Sequence, residues 1–171
     1  RQWVSIERTF EPIKEKIFYL SDNGAYVGLH GRNLYLNTVE PGLVREMAQE
    51  IRKAGMTPMV SGPDVVYLEE GNEKFYDWLV NGYKFRAKQV KDLMEVPEPF
   101  IKVSAYRPTG IDPATRQLRE RYQDRLKITI SGDMWMDCMA PGINKGGAVK
   151  LLQESLGITP EETMVFGDQM N

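Results

Sequence analysis

Cysteine and histidine are nearly absent from this sequence of 171 residues, which contains one of each. A single cysteine, Cys138, cannot form an internal disulfide, and a lone cysteine is most often a small buried hydrophobe. The only histidine, His30, lies beside a predicted hairpin turn, which favours a surface position over a role as general base. A disulfide-stapled secreted fold is therefore excluded, and the composition is typical of the reducing cytoplasm.

Long apolar runs and an excess of one charge are also missing. The longest apolar runs are a few residues, too short to span a membrane, and no secretory signal is visible. The net charge is -2, and acidic and basic residues are interleaved without the basic stripe of a nucleic-acid-binding protein. We expect a cytoplasmic globular protein without nucleic-acid or membrane partners. The sequence does not decide whether the protein is a monomer or a homodimer.

The two ends of the sequence are unusual for a natural protein. The chain begins at Arg1 instead of methionine, and it stops at Asn171, directly after an apolar run and a Gly-Asp turn. Both ends predict that the sequence is part of a longer protein.

Hydrophobic periodicity divides the chain into two kinds of segment. Near the ends, residues 2–14 and 144–156 have helical faces, residues 17–20 resemble a short strand, and residues 164–166 predict a strand buried on both faces of a parallel sheet. Between them, strand pairs alternate with helices in an α+β pattern. Helices are predicted at 41–54, 72–80 and from Asp112 to Tyr122, and strands at 26–29, 34–36, 56–60, 65–68, 100–106, 126–130 and 135–139. The pattern predicts one α/β domain, residues 1–26 and 141–171, interrupted by an inserted domain, residues 27–140.

Three polar residues near the C-terminus are candidates for chemistry. Lys145 begins a predicted helix and precedes two glycines, and a helix N-terminus with an added positive charge suits a phosphate group. Asp168 follows a predicted parallel strand and a glycine, where a carboxylate can hold Mg²⁺. The side chain of Asn171 could donate to a phosphate oxygen. Each also has a plain structural interpretation: a solvated lysine, a turn aspartate and a helix cap.

The order of these features resembles a known enzyme family. Residues 142–148, Gly-Ile-Asn-Lys-Gly-Gly-Ala, and residues 166–171, Phe-Gly-Asp-Gln-Met-Asn, resemble the third and fourth motifs of Cof-type phosphatases of the haloacid dehalogenase superfamily. Residues 21–25, Ser-Asp-Asn-Gly-Ala, resemble the segment where that family's chain leaves the core for the cap. Arg1 matches the arginine that closes the second motif.

The resemblance implies both a fold and an activity. The fold would be α/β, a partial HAD-like Rossmannoid core with an inserted α+β cap domain. The activity would be Mg²⁺-dependent hydrolysis of small phosphorylated metabolites, such as sugar phosphates, through a phosphoaspartyl intermediate. Lys145 would bind the phosphoryl group and act in catalysis, Asn171 and Arg1 would contact phosphate, and Asp168 would hold Mg²⁺.

The family's nucleophile and acid/base, an Asp-x-Asp pair, would precede Arg1, so this chain alone is expected to be inactive. Asp133 and Asp137 lie in the wrong context to replace that pair. Three alternatives stay open: a phosphomutase of the same superfamily, a non-catalytic phosphate-binding protein, and an isolated cap module.

Overall fold

The computed structural model describes residues 1–111 and 114–166. At the N-terminal end, helix α1, Trp3–Thr9, is followed by a 3₁₀ segment, Glu11–Lys16. Three antiparallel strands then form a small sheet in the order β1-β2-β3; they are β1, Tyr19–Ser21, β2, Tyr26–Leu29, and β3, Arg32–Leu36. The predicted helix over residues 2–14 is shorter than expected, because Pro12 has no backbone N–H to continue an α-helical ladder.

The rest of the chain builds a second, six-stranded sheet. Its strands are β4, Thr57–Ser61, β5, Val66–Glu69, β6, Ala87–Val90, β7, Lys102–Tyr106, β8, Lys127–Ser131, and β9, Trp135–Met139. They lie in the order β6-β5-β4-β7-β9-β8. Only the β5–β6 pair is parallel among the described strand pairs. Three helices accompany this sheet: α2, Pro41–Lys53, α3, Glu73–Asp77, and α4, Ala114–Tyr122. A further helix, α5, Lys145–Leu156, contacts strand β1 and the turn that follows it.

Helix α2 covers one face of the six-stranded sheet. Its buried residues recur with the helical period; they are Leu43, Val44, Met47, Ala48 and Ile51. The Glu40 carboxylate caps the helix by accepting from the backbone N–H groups of Gly42 and Leu43, both at 2.7 Å. This core includes Cys138, whose thiol pKa is raised by burial. The predicted helix and the predicted buried cysteine are both confirmed.

The opposite face of the same sheet has a different character. Because alternate residues of a strand share a face, Lys102, Ser104 and Tyr106 of β7 lie opposite Asp137 and Trp135 of β9 and form a row. At one end the row is aromatic, where Phe75 of α3 stacks on Tyr106 with ring centroids 4.3 Å apart. At the other end it is charged. This mixed face borders the candidate site.

Two expectations about the chain ends need correction. Residues 164–166 form no strand, and Met164, Val165 and Phe166 are exposed by 79%, 78% and 87%. A strand buried on both faces needs paired neighbours, and within the described part of the chain no strand pairs with this segment. The strand expected near residues 17–20 does form as β1, but its described partner β2 is antiparallel instead of parallel. The predicted cap at Asp112 lies outside the described residues.

The contact between α4 and α2 leads to a prediction about alkaline pH. The Tyr122 hydroxyl donates to Glu46 Oε1 at 2.8 Å, and burial together with this bond raises the pKa of Tyr122 to about 12. An unfolded tyrosine titrates near about 10. The folded state therefore holds this proton more tightly, and the resulting stability is complete below about pH 10 and lost toward about pH 12.

We expect the free energy of unfolding of Tyr122→Phe to fall less steeply than that of the wild type between about pH 9.5 and about pH 11.5. Urea denaturation at several pH values in that window measures both slopes. Equal slopes would show that Tyr122 does not contribute to the loss of stability at alkaline pH.

Candidate active site

A strained turn follows strand β1. Asp22, Asn23 and Gly24 all have positive φ angles, of 48°, 59° and 97°. Short polar residues and glycine tolerate this conformation better than other types, which is why the Asp-Asn-Gly sequence can form it. The backbone N–H of Asp22 donates to the carbonyl oxygen of Arg1 at 3.1 Å. The turn therefore lies directly beside Arg1, one of the predicted phosphate contacts.

The same turn packs against the start of helix α5. A Cβ atom added to Gly24 would lie 2.5 Å from the carbonyl oxygen of Asn144, closer than real Cβ atoms come to any atom. The Asn144 side chain caps α5, as predicted, by accepting from the Gly147 N–H at 2.8 Å. Lys145 is the first residue of the helix and is exposed. The structure thus places the α5 N-terminus and Arg1 on the same turn.

Replacing Gly24 with alanine is expected to lower the free energy of unfolding by about 2–4 kcal/mol, because the methyl group meets a backbone carbonyl and the positive φ is unfavourable. Gly31→Ala is the matched control. Gly31 also has a positive φ, 68°, but an added Cβ there meets nothing within 4 Å. If chemical denaturation shows the same loss of unfolding free energy for both variants, the close approach of Gly24 to Asn144 has no energetic role.

A buried charge cluster joins the turn to the six-stranded sheet. Lys102 Nζ lies 3.0 Å from Asp22 Oδ1 and 3.6 Å from Asp137 Oδ1. Ser104 Oγ donates to Asp137 Oδ1 at 2.6 Å, and Ser21 Oγ donates to Asp22 Oδ2 at 3.1 Å. We call Lys102, Asp22 and Asp137 the ionic triad.

Lys102 is held in its charged form by its two carboxylate partners. Burial alone would lower the pKa of Lys102, but the carboxylates of Asp137 and Asp22 outweigh it and raise that pKa above the ordinary lysine value. Buried ions are tolerated when they are paired and hydrogen-bonded. The triad therefore fixes the Asp22–Gly24 turn to β7 and β9.

Helix α1 is fastened to the loops of the same sheet. The Gln2 side chain donates to the Asp64 carbonyl oxygen and accepts from the Arg86 N–H, both at 2.8 Å. Trp3 Nε1 donates to Asp64 Oδ1 at 2.9 Å, and Ser5 Oγ donates to the Tyr83 carbonyl oxygen at 2.6 Å. The N-terminal segment and the six-stranded sheet are thereby held together around the triad.

A cavity of about 210 Å³ lies between these two parts. Its polar lining includes Arg1, Asn23 and the three triad residues. Its apolar lining consists of Met59, Tyr83, Phe85 and Trp135. We call this space the triad cavity.

A larger surface cavity of about 410 Å³ lies beside α4, lined by Arg116 and Arg119 among others. Neither Arg1 nor Lys145, the predicted site residues that the structure describes, lines it, so volume alone does not mark the site. We place the candidate site at the triad cavity and the adjoining α5 N-terminus.

The structure locates some of the predicted site residues. Arg1 lines the triad cavity, and Lys145 begins the helix that packs against the same turn. Asp168 and Asn171 lie outside the described residues. Of the two aspartates set aside as nucleophiles, Asp133 is exposed and Asp137 is buried.

The ionic triad was not predicted from the sequence. One signal for it was present: Lys102 interrupts an otherwise apolar strand sequence, Phe-Ile-Lys-Val, where a lysine is tolerated only with a partner.

The described residues do not form a magnesium site. No group of three His, Cys, Asp or Glu side chains within residues 1–111 and 114–166 could hold a metal ion. Asp22 and Asp137 both lie beside Lys102, whose ammonium already neutralises part of their charge.

Within residues 1–111 and 114–166, none of the helices combines the length and the apolar character that spanning a membrane requires.

Comparison with known proteins places the chain in a family. Residues 1–171 match the family described as haloacid dehalogenase-like hydrolase. An Escherichia coli K12 protein named 5-amino-6-(5-phospho-D-ribitylamino)uracil phosphatase is 20% identical over 172 residues, which cover 99% of this chain and 64% of that protein. A Klebsiella pneumoniae protein named HMP-PP phosphatase is 40% identical over 55 residues, 32% of this chain and 20% of that protein.

Solved structures share the fold. A crystal structure from Eubacterium rectale superposes with a TM-score of 0.89 at 24% identity, covering 99% of this chain and 66% of that one. A haloacid dehalogenase-like hydrolase from Bacteroides thetaiotaomicron has a TM-score of 0.80 at 19% identity, with 93% and 61% covered. At these identities the likeness establishes the mixed α/β fold. The chain spans just under two thirds of the length of these proteins.

Proposed function

We propose that this chain, which belongs to the haloacid dehalogenase-like hydrolases, is part of a phosphatase of the Cof type that acts on small phosphorylated metabolites. The observation that carries the proposal is the close packing of the Asp22–Gly24 turn on the N-terminus of α5. That packing sets Lys145, the first residue of the helix, beside the turn that also contacts Arg1. A helix N-terminus and two cationic side chains form a site suited to a phosphate monoester.

The proposed reaction is hydrolysis in two steps. The first aspartate of an Asp-x-Asp motif attacks the phosphorus, and the second donates a proton to the leaving oxygen, which departs as an alcohol. The second aspartate then takes a proton from the water that attacks the aspartyl phosphate and releases inorganic phosphate. The family resemblance implies this motif upstream of Arg1. The Lys145 ammonium would stabilise negative charge on the phosphoryl oxygens in both steps, where fixed charges are most effective.

The proposal that Mg²⁺ binds at Asp168 rests on the family resemblance alone. Bound there, Mg²⁺ would supply a positive charge for the phosphoryl oxygens. The phosphate role of Asn171 rests on the same resemblance. The structural argument therefore depends on Lys145, Arg1 and the turn that they share.

The division into domains is also a proposal: a core made of residues 1–26 and 141–171, and an inserted cap made of residues 27–140. The ionic triad and the hydrogen bonds made by α1 connect the proposed core to the proposed cap. Strand β2 pairs with β1 on one side and with β3 on the other, which favours placing the β2–β3 hairpin with the N-terminal core segment. The cap would then begin near α2.

The triad cavity is the proposed place for the leaving group. The cavity lies between the Asp22–Gly24 turn and the six-stranded sheet, and that sheet belongs to the proposed cap. The two relatives named above are phosphatases of small phosphorylated metabolites, and this supports substrates of that size. A cytoplasmic location fits such metabolites.

The test is phosphate release by the full-length protein that carries this sequence, given a panel of phosphate monoesters with Mg²⁺ or with a chelator. We expect release from some esters, and its loss when the metal is removed. Transfer of the phosphoryl group within a sugar monophosphate without release would identify a phosphomutase instead. Binding of esters without either reaction would identify a phosphate-binding protein.

A further inference from the structure

We infer that the triad cavity selects leaving groups that carry a flat ring and an N–H or O–H donor, and that Asp137 is the residue that recognises the donor. The inference rests on the proposed phosphatase function and goes beyond it by naming the class of substrate. Three features of the cavity support it: an unfilled carboxylate oxygen, the charge of its buried wall and an aromatic surface.

The unfilled oxygen belongs to Asp137. Its Oδ1 atom accepts from Ser104 and faces Lys102. Across residues 1–111 and 114–166, no hydrogen bond reaches its Oδ2 atom. The residue is only 9% exposed, yet it lines the cavity. A carboxylate has room for about four hydrogen bonds, and Oδ2 is not one of the fully buried atoms without a partner among the described residues, so it is accessible from the cavity and can accept from a bound molecule. An N–H or O–H donor on the leaving group would supply a hydrogen bond to Oδ2.

The buried wall favours donors over anions. Lys102 carries one positive charge and the two triad aspartates carry two negative charges, so the triad has a net charge of about -1 when all three groups are ionised. The other cation of the lining, Arg1, faces the phosphate in the proposed site, so a carboxylate on the leaving group would meet the net negative charge of the triad and be repelled in a low-dielectric environment. We therefore expect the leaving group to be neutral or cationic, while its phosphate lies toward Arg1 and Lys145.

The apolar lining provides a surface for a ring. Trp135 lies two residues before Asp137 on β9, so both side chains lie on the same face of the sheet. The Tyr83 ring meets Trp135 edge to face at 6.0 Å, and Phe85 lies 5.3 Å from Tyr83. Flat rings pack well on such surfaces. A cavity of about 210 Å³ is smaller than the roughly 300–1,000 Å³ that holds a drug-sized ligand, so a single substituted ring fits this class best.

The test compares three phosphate esters in the full-length protein: 3-aminobenzyl phosphate, 3-cyanobenzyl phosphate, and 4-hydroxybutyl phosphate. The first has a ring and a donor, the second a ring with an acceptor only, and the third a donor without a ring. We expect kcat/KM for the amino ester to exceed that for the cyano ester by about 10-fold or more, as a hydrogen bond to a charged group predicts. It should also exceed that for the open-chain ester.

The decisive variant is Asp137→Asn. Its amide oxygen can still accept from Ser104, while its NH₂ group replaces the acceptor facing the cavity, so the preference should reverse toward the cyano ester. Asp133→Asn, an exposed aspartate two residues before Trp135 with the same change in charge, should leave the preference unchanged. Trp135→Leu should reduce the advantage of the ring esters over the open-chain ester. If Asp137→Asn does not fold, the amino-to-cyano ratio of the wild type decides the donor preference and Trp135→Leu decides the ring preference.

Failure of this inference can be distinguished from failure of the proposed function. Phosphate release with the same amino-to-cyano ratio in wild type and Asp137→Asn would overturn the inference and leave the phosphatase intact. If no ester is hydrolysed, calorimetric binding of 3-aminobenzyl alcohol and 3-cyanobenzyl alcohol tests the cavity directly. Tighter binding of the amino alcohol that Asp137→Asn reverses would support the inference, and equal or absent binding of both would overturn it.

Discussion

Replacing Lys102 with methionine is expected to lower the free energy of unfolding by about 3–5 kcal/mol, the cost of removing one partner from a buried ion pair. Methionine fills a similar volume but leaves the carboxylates of Asp22 and Asp137 buried without their cation. The Asp22–Gly24 turn should lose its structure first, because Asp22 anchors that strained segment to the six-stranded sheet. Chemical denaturation followed by tryptophan fluorescence measures the change.

The matched control for this change is Lys53→Met. The Lys53 side chain is 70% exposed and pairs with Glu50 on the surface of α2 at 2.8 Å. Exposed pairs of this kind contribute little, about 0–1 kcal/mol. If Lys102→Met cost no more than Lys53→Met, the triad would not be the connection between the turn and the sheet.

Replacing Lys145 with alanine is expected to lower kcat/KM of the full-length protein by about 10²–10³-fold, the usual effect of removing a group that stabilises charge in the transition state. The exposed position of Lys145 predicts little change in folding stability. A steady-state phosphate-release assay with a good ester measures the loss.

Lys150→Ala provides the comparison for that experiment. Lys150 lies in the same helix, its side chain is 75% exposed, and its nearest acidic partner, Glu154, is 3.8 Å away. Its replacement should leave kcat/KM within about twofold. Similar activities of the two variants would remove Lys145 from the proposed site.

The local structure of the chain could be predicted well where a segment contains its own signals. Helix α2 combines a helical apolar period with Pro41 in its first turn, and the structure confirms it. The cap of α5 by Asn144 and its end at Gly157, where φ is 67°, were likewise readable from the sequence. In these segments the forces that define the element act between near neighbours.

The arrangement of these elements was harder to predict, because it depends on contacts between distant segments. The sequence indicated strands at β4, β5, β7, β8 and β9 but not their spatial order. Residues 164–166 show the limit most clearly: three apolar residues match the pattern of a buried strand, yet a strand needs paired neighbours to be buried. In the described part of the chain they have none.

The candidate site was predicted in part. The motif around Lys145 identified the helix start, and the family resemblance named Arg1, which the structure places beside the Asp22–Gly24 turn. The ionic triad was missed because the apolar neighbours of Lys102 indicate a buried lysine without identifying its partner, and Asp22 matches an ordinary turn residue when read alone. Only their packing shows that they pair in the interior, between elements far apart in sequence. The roles of Asp168 and Asn171 stay predictions.

The central claim is that this chain carries the phosphate and metal sites of a phosphatase. It is tested most directly by phosphate release from one good ester across a range of Mg²⁺ concentrations, in the full-length protein and its Asp168→Ala variant. We expect the wild type to require Mg²⁺ and the variant to lose release at every concentration or to need far more metal. Equal Mg²⁺ dependence in the two proteins, or release that ignores Mg²⁺, would contradict the account.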